Sequence, residues 1–463
     1  MKRTLLAIAL TLLLAAPALA QSAFPPDADM LAMIKARVDE GRAAGIVLGV
    51  MDADGKTRVV AYGDPGPGAQ PLSANSVFEI GSITKTFTAT ILADMAAKGE
   101  VKLDAPAQTY APPGLTLPKR GEKEITLLNL SEQNSGLPRM PSNFKPADPA
   151  NPYADYTPQQ LDDFLAHYTL TRDIGAEFEY SNLGVGVLGN LLANKAGKSY
   201  EALVRDRVLK PLKMDMTGVT LTPAMQKQLA KGHNPAGAVV ANWDLPTLVG
   251  AGGLRSNMSD MLKYLRANLA TPPKTPLERA MADAHTPRAP ASPNMQIGLN
   301  WLTTTTKSGA QYTWHNGGTG GYGTFIGFDA KRHVGVVLLV NTAGGADDIA
   351  IHLLDPTVPL SPKPTPPKPR TEVAVPAEIL AKYVGVYALD SAPNFKIVVT
   401  LENGALFAQA TGQPKFPLFA ESPTNFFLKV VDAQLAFTKA ANGQPAYVVL
   451  HQGGADQKAT KVG

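Results

Sequence analysis

Apolar positions recur at two spacings along this chain, and the switches between them predict the order of elements. From Met30, residues Leu31, Ile34 and Val38 mark one face of an amphipathic helix. Two strands follow, Ile46–Met51 and Arg58–Tyr62, turned by Asp54-Gly55, a hairpin signal. Phe87, Ile91, Leu92 and Met95 then fall at helical spacing and predict a buried helix just after Lys85. Ile125–Leu130 leads to a turn-rich break, Asn134-Ser135-Gly136-Leu137-Pro138. Thr157–Thr169 reads as a helix with Leu161, Phe164 and Leu165 on one face, Thr157 as its N-cap and Pro158 as its first residue. Leu183–Lys195 is a second apolar helix, closed by Gly197. A third, Ser199 to Leu209, stops at Pro211, and a glycine-rich turn at 250–254 precedes the helix Ser259–Leu269. Three strand-like runs, Tyr312–Asn316, Thr324–Phe328 and Val334–Val340, lead to a last helix, Asp347–Leu354. The order implies an α+β fold: an antiparallel sheet flanked by helices, plus a helical subdomain.

Composition changes that picture at both ends. Residues 1–20 carry Lys2 and Arg3, an apolar core from Leu5 to Ala16, and the small-residue site Ala18-Leu19-Ala20. That is the pattern of a cleavable signal peptide, too short to span a membrane. The expectation is a soluble exported protein beginning near Gln21, periplasmic or secreted. The chain has no cysteine, which excludes disulfides, thiol chemistry and thiolate metal sites. Its seven histidines show no ligand spacing, so neither a metal nor a cofactor is expected. A formal charge of +4 without a dense basic run points away from nucleic acid. Between residues 357 and 372, Pro359, Pro362, Pro364, Pro366, Pro367 and Pro369 alternate with lysines as a stiff spacer. It divides a domain at 21–356 from one at 373–463. In the latter, short strands are predicted at Tyr383–Leu389, Phe395–Leu401, Ala405–Ala410, Phe426–Val430, Gln434–Thr438 and Tyr447–His451, with turns at Asn403-Gly404 and Asn442-Gly443. This is a small all-β barrel or sandwich.

Candidate chemistry starts at Gly81-Ser82-Ile83-Thr84-Lys85. Ser82 stands at a helix start with Lys85 three residues on, on the same face. A lysine in a dry cleft favours the neutral amine and can take the serine proton. S-x-x-K is the nucleophile motif of penicillin-recognising serine hydrolases. Taken alone, it fits equally an N-capping serine with a solvated lysine. A second copy, Ser142-Asn143-Phe144-Lys145, lies in a Pro- and Asn-rich segment and reads as loop. Tyr180-Ser181-Asn182 precedes the second apolar helix: the tyrosine can relay a proton and the asparagine can grip an amide, or the three form an ordinary helix start. His315-Asn316-Gly317-Gly318 ends a predicted strand. His315 can hold a carboxylate or support the tyrosine, or be a hydrogen-bonded histidine beside a turn. The Gly318 N–H can join that of Ser82 as an oxyanion hole.

In this order the three motifs resemble the class C β-lactamase and D-alanyl-D-alanine peptidase superfamily. The segment Ile125 to Pro138 and the run His315 to Tyr322 look most like its carboxypeptidase/endopeptidase members. The resemblance implies Ser82 as acylated nucleophile, Lys85 and Tyr180 as the proton-transfer pair, and Asn182, His315, Gly317 and Gly318 as substrate-binding groups. It implies a serine hydrolase acting through an acyl-enzyme on D-alanyl-D-alanine-type peptidoglycan peptides and binding β-lactams. A β-lactamase, an esterase of the same fold and a non-catalytic penicillin- or peptidoglycan-binding protein remain as rivals. His315 stands where class C β-lactamases have lysine, which points away from efficient β-lactamase activity. Gln133-Asn134 replace the histidine-threonine usual before the serine-glycine-leucine turn. The C-terminal region is similar to the lipocalin-like module appended to many such hydrolases. Nothing in the chain fixes the oligomeric state.

Overall fold

A computed structural model describes residues 22–363, 370–411, 415–439, 445–452 and 455–462. The signal-peptide segment, most of the prolines of the spacer and the Asn442-Gly443 turn lie outside them. The chain divides into two compact units at Ser361-Pro362.

The first unit is built on an eight-stranded antiparallel sheet. Its spatial order is Thr57–Gly63, Gly45–Met51, Val334–Val340, Gly323–Asp329, Gln311–Gly318, Leu302–Thr305, Met295–Ile297, Ala289–Ser292. The central strands are buried on both faces. Ile46, Leu48 and Val50 pack with Val336, Leu338 and Val340 under the helices Asp27–Asp39 and Asp347–Leu354. Val47, Val337 and Leu339 face the opposite way, into a larger core with Met258, Met261 and Leu265 of the helix Met258–Asn268. A strand covered on both sides has no polar face, hence the unbroken apolar runs in the sequence. Deep in that larger core lies the helix Thr84–Ala97, every residue of which from Thr84 to Met95 is buried. Its threonines are satisfied internally: Thr86 Oγ1 donates to Ile83 O at 2.7 Å and Thr88 Oγ1 to Gly250 O at 2.7 Å.

The structure corrects the sequence pattern in four places. The first helix buries Met30, Ile34 and Arg37 and leaves Leu31 outside, because Arg37 is drawn in to pair with Asp348. The helix from Tyr200 runs past Pro211 to Leu212 through a π-turn at Arg205–Leu209. A stretch to which the sequence pattern assigned no element forms the helix Pro276–His285, with Thr275 and Glu278 in a capping box. The last three strands of the sheet were invisible: segments such as Ala289–Ser292 carry no apolar alternation, since they extend an edge.

The second unit is a closed eight-stranded antiparallel barrel, running from Gly385–Leu389 to Ala455–Lys461, which pair with each other to close it. Asn403 and Gly404 both take positive φ (51° and 80°), as a two-residue hairpin turn requires. Tyr387, Leu406, Phe426, Phe437 and Val448 fill the interior. Tyr383 ends a short 3-10 turn instead of starting a strand, and the strands Lys415–Ala420 and Ala455–Lys461 add to the six expected.

Candidate active site

Strand and helix start meet through glycines. Gly81 has φ +49°, and a Cβ on it would stand 2.7 Å from Gly318 N; one on Gly317 would stand 2.0 Å from Ile80 O. Only glycines allow that approach. It sets the short helical turn Gly81–Ile83, which carries Ser82, against the end of the strand Gln311–Gly318. Thr319 N donates to Tyr322 O across the hairpin, and Gly318 is paired with Gly323. The alternation of an antiparallel ladder then turns Gly318 N–H away from its partner strand, toward the edge that faces Ser82.

Lys85 Nζ lies 3.0 Å from Ser82 Oγ, 2.8 Å from Asn182 Oδ1 and 2.6 Å from Ala251 O. Its side chain is fully buried, so it is not a solvated lysine, and Ser82 caps no helix. Burial pushes the Lys85 pKa well below 10.5, and the nearby Arg139 charge adds to the shift. A neutral amine has two hydrogens and one lone pair. The carbonyls of Asn182 and Ala251 can only accept, so they take the hydrogens, and the lone pair is left facing the Ser82 hydroxyl.

The Tyr180 hydroxyl stands close enough to Ser82 for the serine to act on its pKa. Burial pushes its phenol pKa up; the Ser82 hydroxyl and the Arg139 charge oppose the shift only in part. The phenol therefore stays protonated at neutral pH. Lys85 Nζ lies 4.8 Å and the Arg139 guanidinium 5.0 Å from its ring centre. Ser181 is the cap of the helix Asn182–Lys195, its Oγ accepting Gly184 N at 2.8 Å. The cap role thus falls to Ser181 and leaves the Asn182 side chain to the cleft. Gln133, at φ 61°, brackets Tyr180: its main-chain O accepts Glu179 N at 2.7 Å and its Oε1 accepts Ser181 N at 2.6 Å. Gln133 Nε2 is anchored in turn on Asn300 Oδ1 at 2.9 Å. The sequence signalled this only as a departure from the usual histidine-threonine.

His315 lies 6.1 Å from the Tyr180 ring but is 2% exposed, behind the cleft wall. Its Nδ1–H donates to Asn316 O at 2.6 Å. Burial pushes its pKa down to about 3. A charged His315 gripping a substrate carboxylate is therefore not the arrangement found; the imidazole is neutral and backs the tyrosine. Asn316 lines the cleft in its place. The second S-x-x-K sits in a loop where Asn143 bonds Gln160 O and Tyr156. The cleft, about 510 Å³, opens over Ser82 between Arg139, Tyr153 and Trp243 on one side and Asn316, Gly318 and Asp347 on the other. Of these walls the sequence pointed only to Gly318 and to Asn316 in the same motif.

A serine, a buried lysine of lowered pKa and a protonated tyrosine in one cleft on this sheet define a serine hydrolase. Residues 30–357 match the family described as Beta-lactamase, and the chain belongs to it. Residues 369–461 match a domain of unknown function, DUF3471. The chain is 29% identical over 338 residues to the D-alanyl-D-alanine-carboxypeptidase/endopeptidase AmpH of Escherichia coli (strain K12), covering 67% of this chain and 85% of that protein. It is 28% identical over 333 residues to a beta-lactamase of Pseudomonas fluorescens, covering 64% and 88%. The fold is shared with a beta-lactamase/D-alanine carboxypeptidase from Pseudomonas syringae (TM-score 0.62, 22% identity, 72% of this chain and 99% of that one). It is shared also with a class C beta-lactamase (TM-score 0.61, 24% identity, 71% and 95%).

Proposed function

We propose that this protein is exported and hydrolyses D-alanyl-D-alanine-type peptides of peptidoglycan through an acyl-enzyme on Ser82, with β-lactams as mimics that acylate the same serine. The observation that carries the reading is the buried Lys85, whose two obligatory acceptors leave its lone pair to Ser82. Ser82 Oγ bonds to the substrate carbonyl carbon while its proton passes to Lys85 Nζ. The oxyanion is met by the N–H groups of Ser82 and Gly318. As the C–N bond breaks, Tyr180 gives its proton to the leaving nitrogen and recovers one from Lys85. Water repeats the cycle on the ester and frees Ser82. Asn182 orients the substrate amide and His315 keeps Tyr180 in place. No cofactor enters any step. A β-lactamase is the second reading, favoured by relatives of that name; it needs the same acylation and faster deacylation.

Labelled penicillin should attach covalently to Ser82, as mass spectrometry of the wild type and Ser82→Ala would read. A label that persists in Ser82→Ala, or sits on Ser142, overturns the assignment.

A further inference from the structure

Among the described residues, the lining of the cleft holds one cation, Arg139, and one carboxyl, Asp347. Arg139 is fixed at its main chain. The preceding Pro138 O accepts Ser181 Oγ at 2.7 Å, and Arg139 O accepts Asn182 N at 3.0 Å and Leu183 N at 3.2 Å. The residue is thereby tied to the first turn of the helix Asn182–Lys195, and its guanidinium lies 5.0 Å from the centre of the Tyr180 ring. That guanidinium is exposed and, among the described residues, has no hydrogen-bond or ion-pair partner. Every other described arginine has one. The carboxylates next to Tyr180 and Trp243 in the chain are taken, Glu179 by Arg172 and Asp244 by Arg255. On the opposite wall Asp347 accepts Asn316 Nδ2 at 2.6 Å.

A planar fork of donors thus stands free beside the proton donor. In the acyl transfer the leaving nitrogen comes within about 3 Å of the Tyr180 hydroxyl to receive its proton. In a C-terminal amino acid, and in the thiazolidine ring of a penicillin, the carbon next to that nitrogen bears a carboxylate. Standard bond lengths put the carboxyl carbon about 2.5 Å from the nitrogen. A group held at Tyr180 therefore presents its carboxylate within reach of the arginine. The other wall offers no such partner: His315 is buried and neutral, and Asn316 is bonded to a carboxyl. We propose that Arg139 is a specificity-determining residue that receives this carboxylate, a role the buried His315 cannot fill. It turns the enzyme toward leaving groups with a free acid on the carbon next to the leaving nitrogen. The inference rests on the acyl-transfer reading and narrows its substrate class. The guanidinium fork bonds both carboxylate oxygens, and because the side chain is exposed the pair is screened by salt.

The test uses the intact protein and two substrate pairs, each an acid and its uncharged twin. One is an acyl-D-alanyl-D-alanine and its C-terminal amide, read by kcat/KM; the other is a penicillin and its methyl ester, read by the second-order rate of Ser82 acylation. The acid-over-neutral ratio should be about tenfold higher in the wild type than in Arg139→Ala, the scale of one charge pair in a partly solvated cleft. Losing the cation also acts on Lys85 and Tyr180, but alike for both members of a pair, so the ratio isolates the carboxylate. Arg139→Lys should keep part of the preference, since it carries the charge without the fork, and Arg139→Glu should lower the ratio below that of Arg139→Ala. The wild-type preference should shrink as salt rises to about 1 M, where the screening length falls to about 3 Å. Peptides that stay intact while the penicillin pair shows these shifts would overturn the peptidase reading and keep the proposal. A ratio that Arg139→Ala and Arg139→Glu leave unchanged overturns the proposal, whatever happens to the absolute rates. So does a wild-type preference that salt does not touch.

Discussion

The two units solve different problems with their interiors. Among the described residues, every buried polar or charged side chain belongs to the first unit, from Arg37 to Asp355. The barrel interior is apolar and aromatic, and its two buried tyrosines give their hydroxyls to main-chain carbonyls, Tyr383 to Pro423 and Tyr387 to Tyr383. The barrel's ion pairs stand at its surface, such as Lys415 with Glu402, each about two-fifths exposed. Pairs of that kind contribute roughly 0–1 kcal/mol, so apolar packing holds the barrel. In the first unit Lys85, Glu79, Arg255 and His315 are all taken out of water. A buried polar group left unpaired costs about 1–3 kcal/mol. The difference teaches where function sits: the unit that tolerates such groups uses them, and among the described residues the barrel shows no comparable cluster.

The largest effect should come from Lys85→Met, which keeps the stem's bulk and removes the base. Turnover should fall by about 10³-fold, the scale of a lost general base. The Asn182 and Ala251 carbonyls lose their donor, so stability should drop by a few kcal/mol at most, about 1–3 for each unpaired group. Turnover and urea denaturation on the same preparation would check both. A variant that keeps its activity would mean that the polar interior is structural filling and would erase the contrast with the barrel.

Gln133→Leu should act next. It leaves Ser181 N–H without its acceptor and frees the chain beside Tyr180. We expect kcat to fall by roughly 10–100-fold through misplacement of the phenol, with KM nearly unchanged. Gln133→Glu keeps the acceptor oxygen for Ser181 N–H but loses the N–H that holds Asn300 Oδ1, so it should recover only part of the loss. If KM moved instead, or Glu rescued nothing, Gln133 would hold the fold and not Tyr180.

These two positions also show what sequence alone can carry. Ser82, Lys85, Tyr180 and Asn182 announce themselves, because each sits in a short motif at a helix start, and local backbone rules place such residues. Gln133, Asp347 and Trp243 do not. Their roles come from contacts across some 31 positions or more, such as Asn316 to Asp347 and Gln133 to Glu179, which no local period encodes. His315 was legible in place but not in state: burial, invisible in a single strand, decides that its imidazole is neutral. In the fold, two-sided strands and amphipathic helices were legible. The edge strands near 289–305 and the polar last barrel strand, Ala455–Lys461, were not, since their pairing partners define them. Thr275-Pro276 with Glu278 was a readable helix start that periodicity alone passed over.

The smallest effect should follow removal of the barrel. The first unit carries three apolar clusters of its own, the two largest on opposite faces of the sheet, and the barrel carries a fourth that draws only on residues beyond Arg370. A unit with its own core is expected to fold alone. Truncation after Ser361 should leave a protein that unfolds cooperatively, labels with penicillin and turns over its substrate within about twofold of the intact chain, as independent domains do. The three tryptophans, Trp243, Trp301 and Trp314, all lie in the first unit. Their fluorescence should therefore report one and the same unfolding transition in the intact and truncated proteins, while far-ultraviolet circular dichroism follows the barrel as well. A shortened chain that precipitates, or whose tryptophan transition moves by many degrees, would show that the apolar barrel serves the polar unit as part of its scaffold. The contrast between the two interiors would then be a division of labour inside one cooperative fold instead of a property of two.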